Sequence, residues 1–121
     1  MTWGVMQGAR RGVMLFAQYT IQENTMRKRK TYYVYMMTNQ YNNVLYTGVT
    51  NDIERRVWEH RNGQGGAFTS KYKVRKLVYM LEFQSIKEAI NAEKSLKATT
   101  RARKERLIRA INPEWEELMP E

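Results

Sequence analysis

Apolar and polar positions between Thr31 and Ile111 fall into segments that predict three strands and three helices. Thr31-Tyr-Tyr-Val-Tyr-Met-Met-Thr38 is dense in β-branched and aromatic residues, the composition of a buried strand. Asn39-Gln-Tyr-Asn-Asn43 has the composition of a turn, because asparagine tolerates left-handed backbone and bonds its own main chain. Val44-Leu-Tyr-Thr-Gly-Val-Thr50 is a second strand, so residues 31–50 predict a β-hairpin. Thr50, Asn51 and Asp52 are candidate N-caps for a helix to about Asn62, which Gly63-Gln64-Gly65-Gly66 ends in a flexible loop. Lys76-Leu-Val-Tyr-Met-Leu-Glu-Phe83 is the third strand. Ser85 to Glu88 reads as a capping box opening a helix to about Ala98. A further helix runs from Thr100 to Ile111, and Asn112-Pro113 stops it because the residue before proline disfavours α geometry. The fold class is α+β.

Two helices break their own pattern. After Asn51, the positions Ile53, Arg56, Val57 and His60 form the stripe that normally faces a core, yet two of the four are polar. They are either a snorkelling arginine and a histidine at the core edge, or part of a site. In helix 86–98 the apolar positions Ile86, Ala89, Ile90 and Leu96 predict the buried stripe, and Glu93 falls within it. A carboxylate taken out of water costs several kcal/mol unless it is compensated. Lys97, one turn on, offers an i,i+4 pair; a hard divalent cation such as Mg²⁺, which needs few carboxylates, is the alternative. The hairpin adds Tyr32, Tyr33, Tyr35 and Tyr46, with Gly48 on the same face as Tyr46, and glycine inside a strand marks close backbone approach.

Composition narrows the chemistry. The chain has 121 residues, enough for one domain, with 42% hydrophobic residues, too many for a disordered basic tail. No run approaches the roughly 18–20 apolar residues that cross a bilayer, so a cytoplasmic domain is expected. The absence of cysteine excludes disulfides, thiolate-held metals and thiol nucleophiles. With one histidine and one aspartate, a Ser-His-Asp triad is very hard to build. A net charge of +9 points to a polyanionic partner. Residues 1–25 show no sustained period and are expected to be a disordered extension, the single domain starting at Met26.

Tyr33-Val34-Tyr35 and Tyr46-Thr47-Gly48, followed by Arg56 and His60, resemble the two signature triplets and helix of the GIY-YIG endonucleases. Gly66 to Ser70, Lys76 to Tyr79, Glu93 to Lys97 and Asn112 to Leu118 extend the likeness to small stand-alone bacterial members over residues 31–119. The first triplet lacks its glycine, Thr47 replaces an isoleucine, and Val49 stands where some members have lysine. The resemblance implies a three-stranded antiparallel sheet flanked by helices, and phosphodiester hydrolysis dependent on one divalent metal, Mg²⁺ or Mn²⁺. By position it places Tyr35 and Tyr46 on the motif tyrosines, one of which acts as or assists the general base, and assigns Arg56 to the scissile phosphate, His60 to proton relay and Glu93 to the metal. Asn112 matches a late asparagine near the active site, and Gly48 the glycine of the second triplet.

Basic residues supply the surface. Lys71, Lys73, Arg75 and Lys76 follow the glycine-rich loop, and Arg101, Arg103, Lys104, Arg106 and Arg109 load the last helix. Such charges hold a phosphate backbone without reading bases, so DNA, including branched, nicked or single-stranded forms, is the expected partner, bound with weak sequence preference. A non-catalytic nucleic-acid-binding module is the competing reading. A third is a protein partner docking through Trp115 and the acidic tail from Glu114.

Overall fold

Strand β1 (Tyr32–Thr38) occupies the middle of a three-stranded antiparallel sheet of order β2-β1-β3, with β2 at Leu45–Thr50 and β3 at Lys76–Phe83. Being central, β1 is buried on both faces, which is why its sequence is apolar without alternation. A computed structural model describes residues 30–120; the expected N-terminal extension lies outside the described residues. Helices α1 (Ile53–Arg61), α2 (Ala67–Lys71), α3 (Ile86–Ala98) and α4 (Arg101–Ile111) complete it. The expected α+β architecture, a three-stranded sheet flanked by helices, is the one found. Helix α2 was not foreseen: five residues are too few to show a period.

The helix starts follow the expected side-chain chemistry. Asp52 accepts from the Arg55 N–H at 3.1 Å, Ser85 from Glu88 at 3.2 Å and Thr100 from Arg103 at 3.2 Å. Each satisfies an amide that would otherwise face no partner. Arg101 reaches back to the carbonyls of Asn42 and Asn43, tying α4 to the β1–β2 turn.

Alternation along β1 splits the core in two. Tyr33, Tyr35 and Met37 face Ile53 and Val57 of α1 together with Val74, Leu77, Met80 and Leu118. Val34 and Met36 face Ala89 and Leu96 of α3, Ile108 of α4 and Trp115. A β-bulge between Met36 and Met37 puts Val78 and Tyr79 in succession on the α3–α4 side.

On α3 the buried stripe differs from the expected one. Ala89 and Leu96 are buried with Ala92 packed beside them, whereas Ile86 and Ile90 are 50% and 37% exposed. Small side chains at 89 and 92 let the helix lie close to the sheet, and that rotation turns both isoleucines outward.

Candidate active site

Antiparallel pairing sets the tyrosines. Tyr35 is directly opposite Gly48 and Met37 is opposite Tyr46, so Tyr35, Tyr46 and Gly48 share the face covered by α1. Tyr35 is 0% exposed. Its hydroxyl fits because position 48 is empty: a Cβ there would lie 2.5 Å from Tyr35 Oη. The expected close approach at Gly48 is thus to a side chain of the neighbouring strand.

Helix α1 brings His60 and Arg56 to the same hydroxyl. His60 Nε2 lies 3.1 Å from Tyr35 Oη, and Arg56 Nε donates to that oxygen at 3.3 Å. Which of the phenol and the imidazole donates follows the imidazole tautomer, and Tyr46 is a further hydrogen-bond partner of the phenol. Nδ1 is buried and, among the described residues, has no hydrogen-bond partner, and a Cβ at Gly65 would come 2.2 Å from it. Gly48 and Gly65 therefore wedge the Tyr35–His60 pair from two sides. Arg56 also donates to Glu59 at 2.9 Å and to the Gly65 carbonyl at 3.3 Å, so three of its nitrogens are anchored while its side chain remains 27% exposed. An arginine carries five N–H donors, and Tyr46 is a further side-chain partner.

Burial and charge set the protonation states. Burial pushes Tyr35 up to about 12, against the pull of its Arg56 hydrogen bond. Burial, then the Arg56 charge, push His60 down to about 4. At neutral pH both groups are uncharged. Burial works against the Arg56 charge, but its bonds to Glu59 and Tyr35 win and hold its pKa above the ordinary arginine value.

Tyr46 is the half-buried member of the set. Its ring lies 5.0 Å from His60 and 6.2 Å from Tyr35, and its hydroxyl acts on both Arg56 and Tyr35. Lys97 connects this group to Glu93. The ammonium sits 2.7 Å from Glu93 Oε2, and that bond, with Tyr46 contributing, raises the Lys97 pKa.

Among the described residues no three His, Cys, Asp or Glu side chains gather as a metal cluster. A Mg²⁺ that keeps its waters and takes substrate phosphate needs only one carboxylate. Glu93 suits that demand: its side chain is 12% exposed, and a cation, the Lys97 ammonium, already rests on it.

Other expected site residues fall elsewhere. Asn112 is 3% exposed and both ends of its amide are spent, donating to the Val78 and Glu116 carbonyls and accepting from the Glu116 N–H. It caps α4 and folds the tail back. Arg101 is occupied by the turn and by Glu105 at 2.8 Å. Arg101, Arg103 and Lys104 lie on α4, which packs on the sheet face away from Tyr35 and Tyr46, whereas Lys71 ends α2 and Lys73 and Arg75 follow it. Sequence reasoning missed Gly65, Glu59 and Phe68; the glycine-rich loop was visible, but its contact with His60 was not.

Residues 31–106 match the GIY-YIG catalytic domain. A UPF0213 protein of Natronomonas pharaonis is 39% identical over 77 residues, 64% of this chain and 89% of the relative. One from Staphylococcus saprophyticus is 41% identical over 64 residues, 53% of this chain and 78% of the relative. The solution NMR structure of a UPF0213 protein from Bacillus halodurans is 31% identical, covers 72% of this chain and 92% of its own, and superposes with a TM-score of 0.48.

Proposed function

Because the chain belongs to the GIY-YIG nuclease family, we propose that it is a divalent-metal-dependent DNA endonuclease with weak sequence preference. The observation that carries this reading is the hydrogen-bonded set of Arg56, Tyr35 and His60 beside Tyr46, polar chemistry placed on a core face where a merely stable fold would put apolar side chains.

Phosphodiester hydrolysis needs a base for water, neutralisation of the pentacoordinate anion and charge near the leaving oxygen. Tyr46 and Arg56 are the half-buried members and are assigned to contact substrate. Tyr35 and His60 are sealed behind them and are assigned to positioning and proton transfer. Burial holds Tyr35 as the phenol and His60 as the imidazole, which disfavours a free phenolate beside an imidazolium. The proton therefore moves along the row in step. The attacking water's proton goes to Tyr46, that of Tyr46 to Tyr35, and that of Tyr35 to His60 Nε2, as the water oxygen bonds to phosphorus and the ester oxygen leaves. A phosphate held by Arg56 offsets the charge that helps depress His60, making it a better acceptor at the moment it is needed. A divalent cation on Glu93 supplies electrophilic charge for the phosphate and the leaving oxygen.

The test is a cleavage panel of labelled duplex, single-stranded and branched DNA with and without Mg²⁺ or Mn²⁺. Cutting should require the cation and fall at least about 100-fold in Tyr46→Phe and Glu93→Ala. Undiminished cutting in Glu93→Ala, or none on any substrate, would overturn the assignment.

A further inference from the structure

The rings of the site do not end at Tyr46. Tyr46 stacks toward Phe68 of α2 at 6.5 Å with an interplanar angle of 29°, and Phe68 meets Tyr72 at 4.9 Å. Lys71 Nζ lies 5.3 Å from the centre of the Tyr72 ring. Phe68 is 47% exposed and Tyr72 41%, so this row leads outward from the buried tyrosines rather than closing a core.

Beyond Tyr72 opens a cleft of about 840 Å³ whose lining includes Tyr41, Lys71, Lys73, Arg75 and Lys76. Its carboxylate, Glu117, pairs through Oε2 with Arg61 at 2.8 Å and accepts through the same oxygen from the N–H groups of Leu77 and Met119. Among the described residues, none of Lys71, Lys73 and Arg75 is paired with a carboxylate. The cleft is thus a cationic groove adjoining an exposed aromatic row.

We propose that Phe68, Tyr72 and this groove form a track for an unpaired polynucleotide strand, its bases stacking on the two rings and its phosphates held by Lys71, Lys73 and Arg75. The inference rests on the nuclease reading of the Tyr46 site and names the form of its substrate. Cations alone suit a duplex backbone as well as a single strand. Aromatic rings change that, since base faces can stack on them only where the strand is unpaired. Because the row runs into Tyr46, a strand lying on it delivers a phosphate toward Arg56.

The test uses the full chain in EDTA, where binding is read without cutting. Fluorescence anisotropy follows labelled oligothymidine and oligouridine of about 20 nucleotides and a hairpin duplex of equal charge. Phe68→Ala and Tyr72→Ala should each weaken single-strand binding about 10-fold and leave the duplex within about twofold, while Tyr72→Phe keeps wild-type affinity. Lys71→Gln should weaken every probe and flatten the salt dependence. The tighter of the two oligonucleotides identifies the sugar. Thermal melts establish that each variant is folded. Equal losses on strand and duplex, or no loss in either alanine variant, would overturn the track while leaving cleavage untouched. Stacking-dependent binding without cleavage in Mg²⁺ would instead remove the nuclease reading and keep the track.

Discussion

Replacing Gly48 by alanine asks whether the hairpin is built around the Tyr35 hydroxyl. On the existing backbone the new Cβ would lie 2.5 Å from Oη, 2.7 Å from Cζ and 3.0 Å from Cε1. Tyr35 is fully buried on the central strand, so the ring cannot turn to solvent and must slide or part the strands. Overpacking of this kind costs about 1–3 kcal/mol. Moving Oη also breaks its bond to His60, leaving buried polar groups unsatisfied for about another 1–3 kcal/mol. A total near 3 kcal/mol lowers the melting temperature by roughly 12 °C in a domain of this size. Tyr35→Phe pays only the second cost. In the double variant the nearest clashing atom is gone, although Cζ still lies 2.7 Å from the new Cβ, and the hydrogen bond is lost once, so the two effects overlap. A double-mutant cycle from urea unfolding should find the pair about 1–2 kcal/mol more stable than the sum of the singles. Additivity within about 0.5 kcal/mol would refute the claim that position 48 is small on account of the hydroxyl.

Gly65→Ala pushes the His60 ring by a Cβ placed 2.2 Å from Nδ1, and should cut cleavage at least about 10-fold while costing about 1–3 kcal/mol of stability. Acid should unfold the protein partly through His60. Its folded pKa of about 4 lies below the unfolded value near 6.5, so its contribution is complete above about pH 6.5 and is lost as pH falls through 4. The loss is about 3 kcal/mol, visible as a pH-dependent difference between wild type and His60→Gln in urea midpoints; parallel pH profiles would contradict it. Glu117→Gln weakens the clasp on Arg61, Leu77 and Met119, and a drop of about 1–3 kcal/mol in unfolding free energy checks that.

Much of this was legible in the chain because local and tertiary demands agree there. Strand β1 is apolar on both faces and central, and the caps at Asp52, Ser85 and Thr100 make the bonds their side chains offer. The odd polar pair on α1 was readable as a conflict with its stripe: Ile53, Val57 and His60 are buried, with Arg56 half-buried at the rim. Legibility failed where partners are distant in sequence. Nothing near Gly65 announces that it backs His60, and nothing near Asn112 shows that its amide is claimed by the tail and by Val78. The stripe on α3 was misread because periodicity counts apolar residues, whereas packing selected the row with the smallest side chains, Ala89 and Ala92. Glu93 stayed half-buried under that rotation, bonded to Lys97, the partner one turn away.

Tyr35 packs among Ile53, Val57 and Leu77, so the proposed site and the core are built from shared side chains. The buried part of such a site cannot loosen ahead of the body. Heat inactivation and global unfolding should consequently be one event, with activity surviving to the edge of the melting transition and vanishing across it.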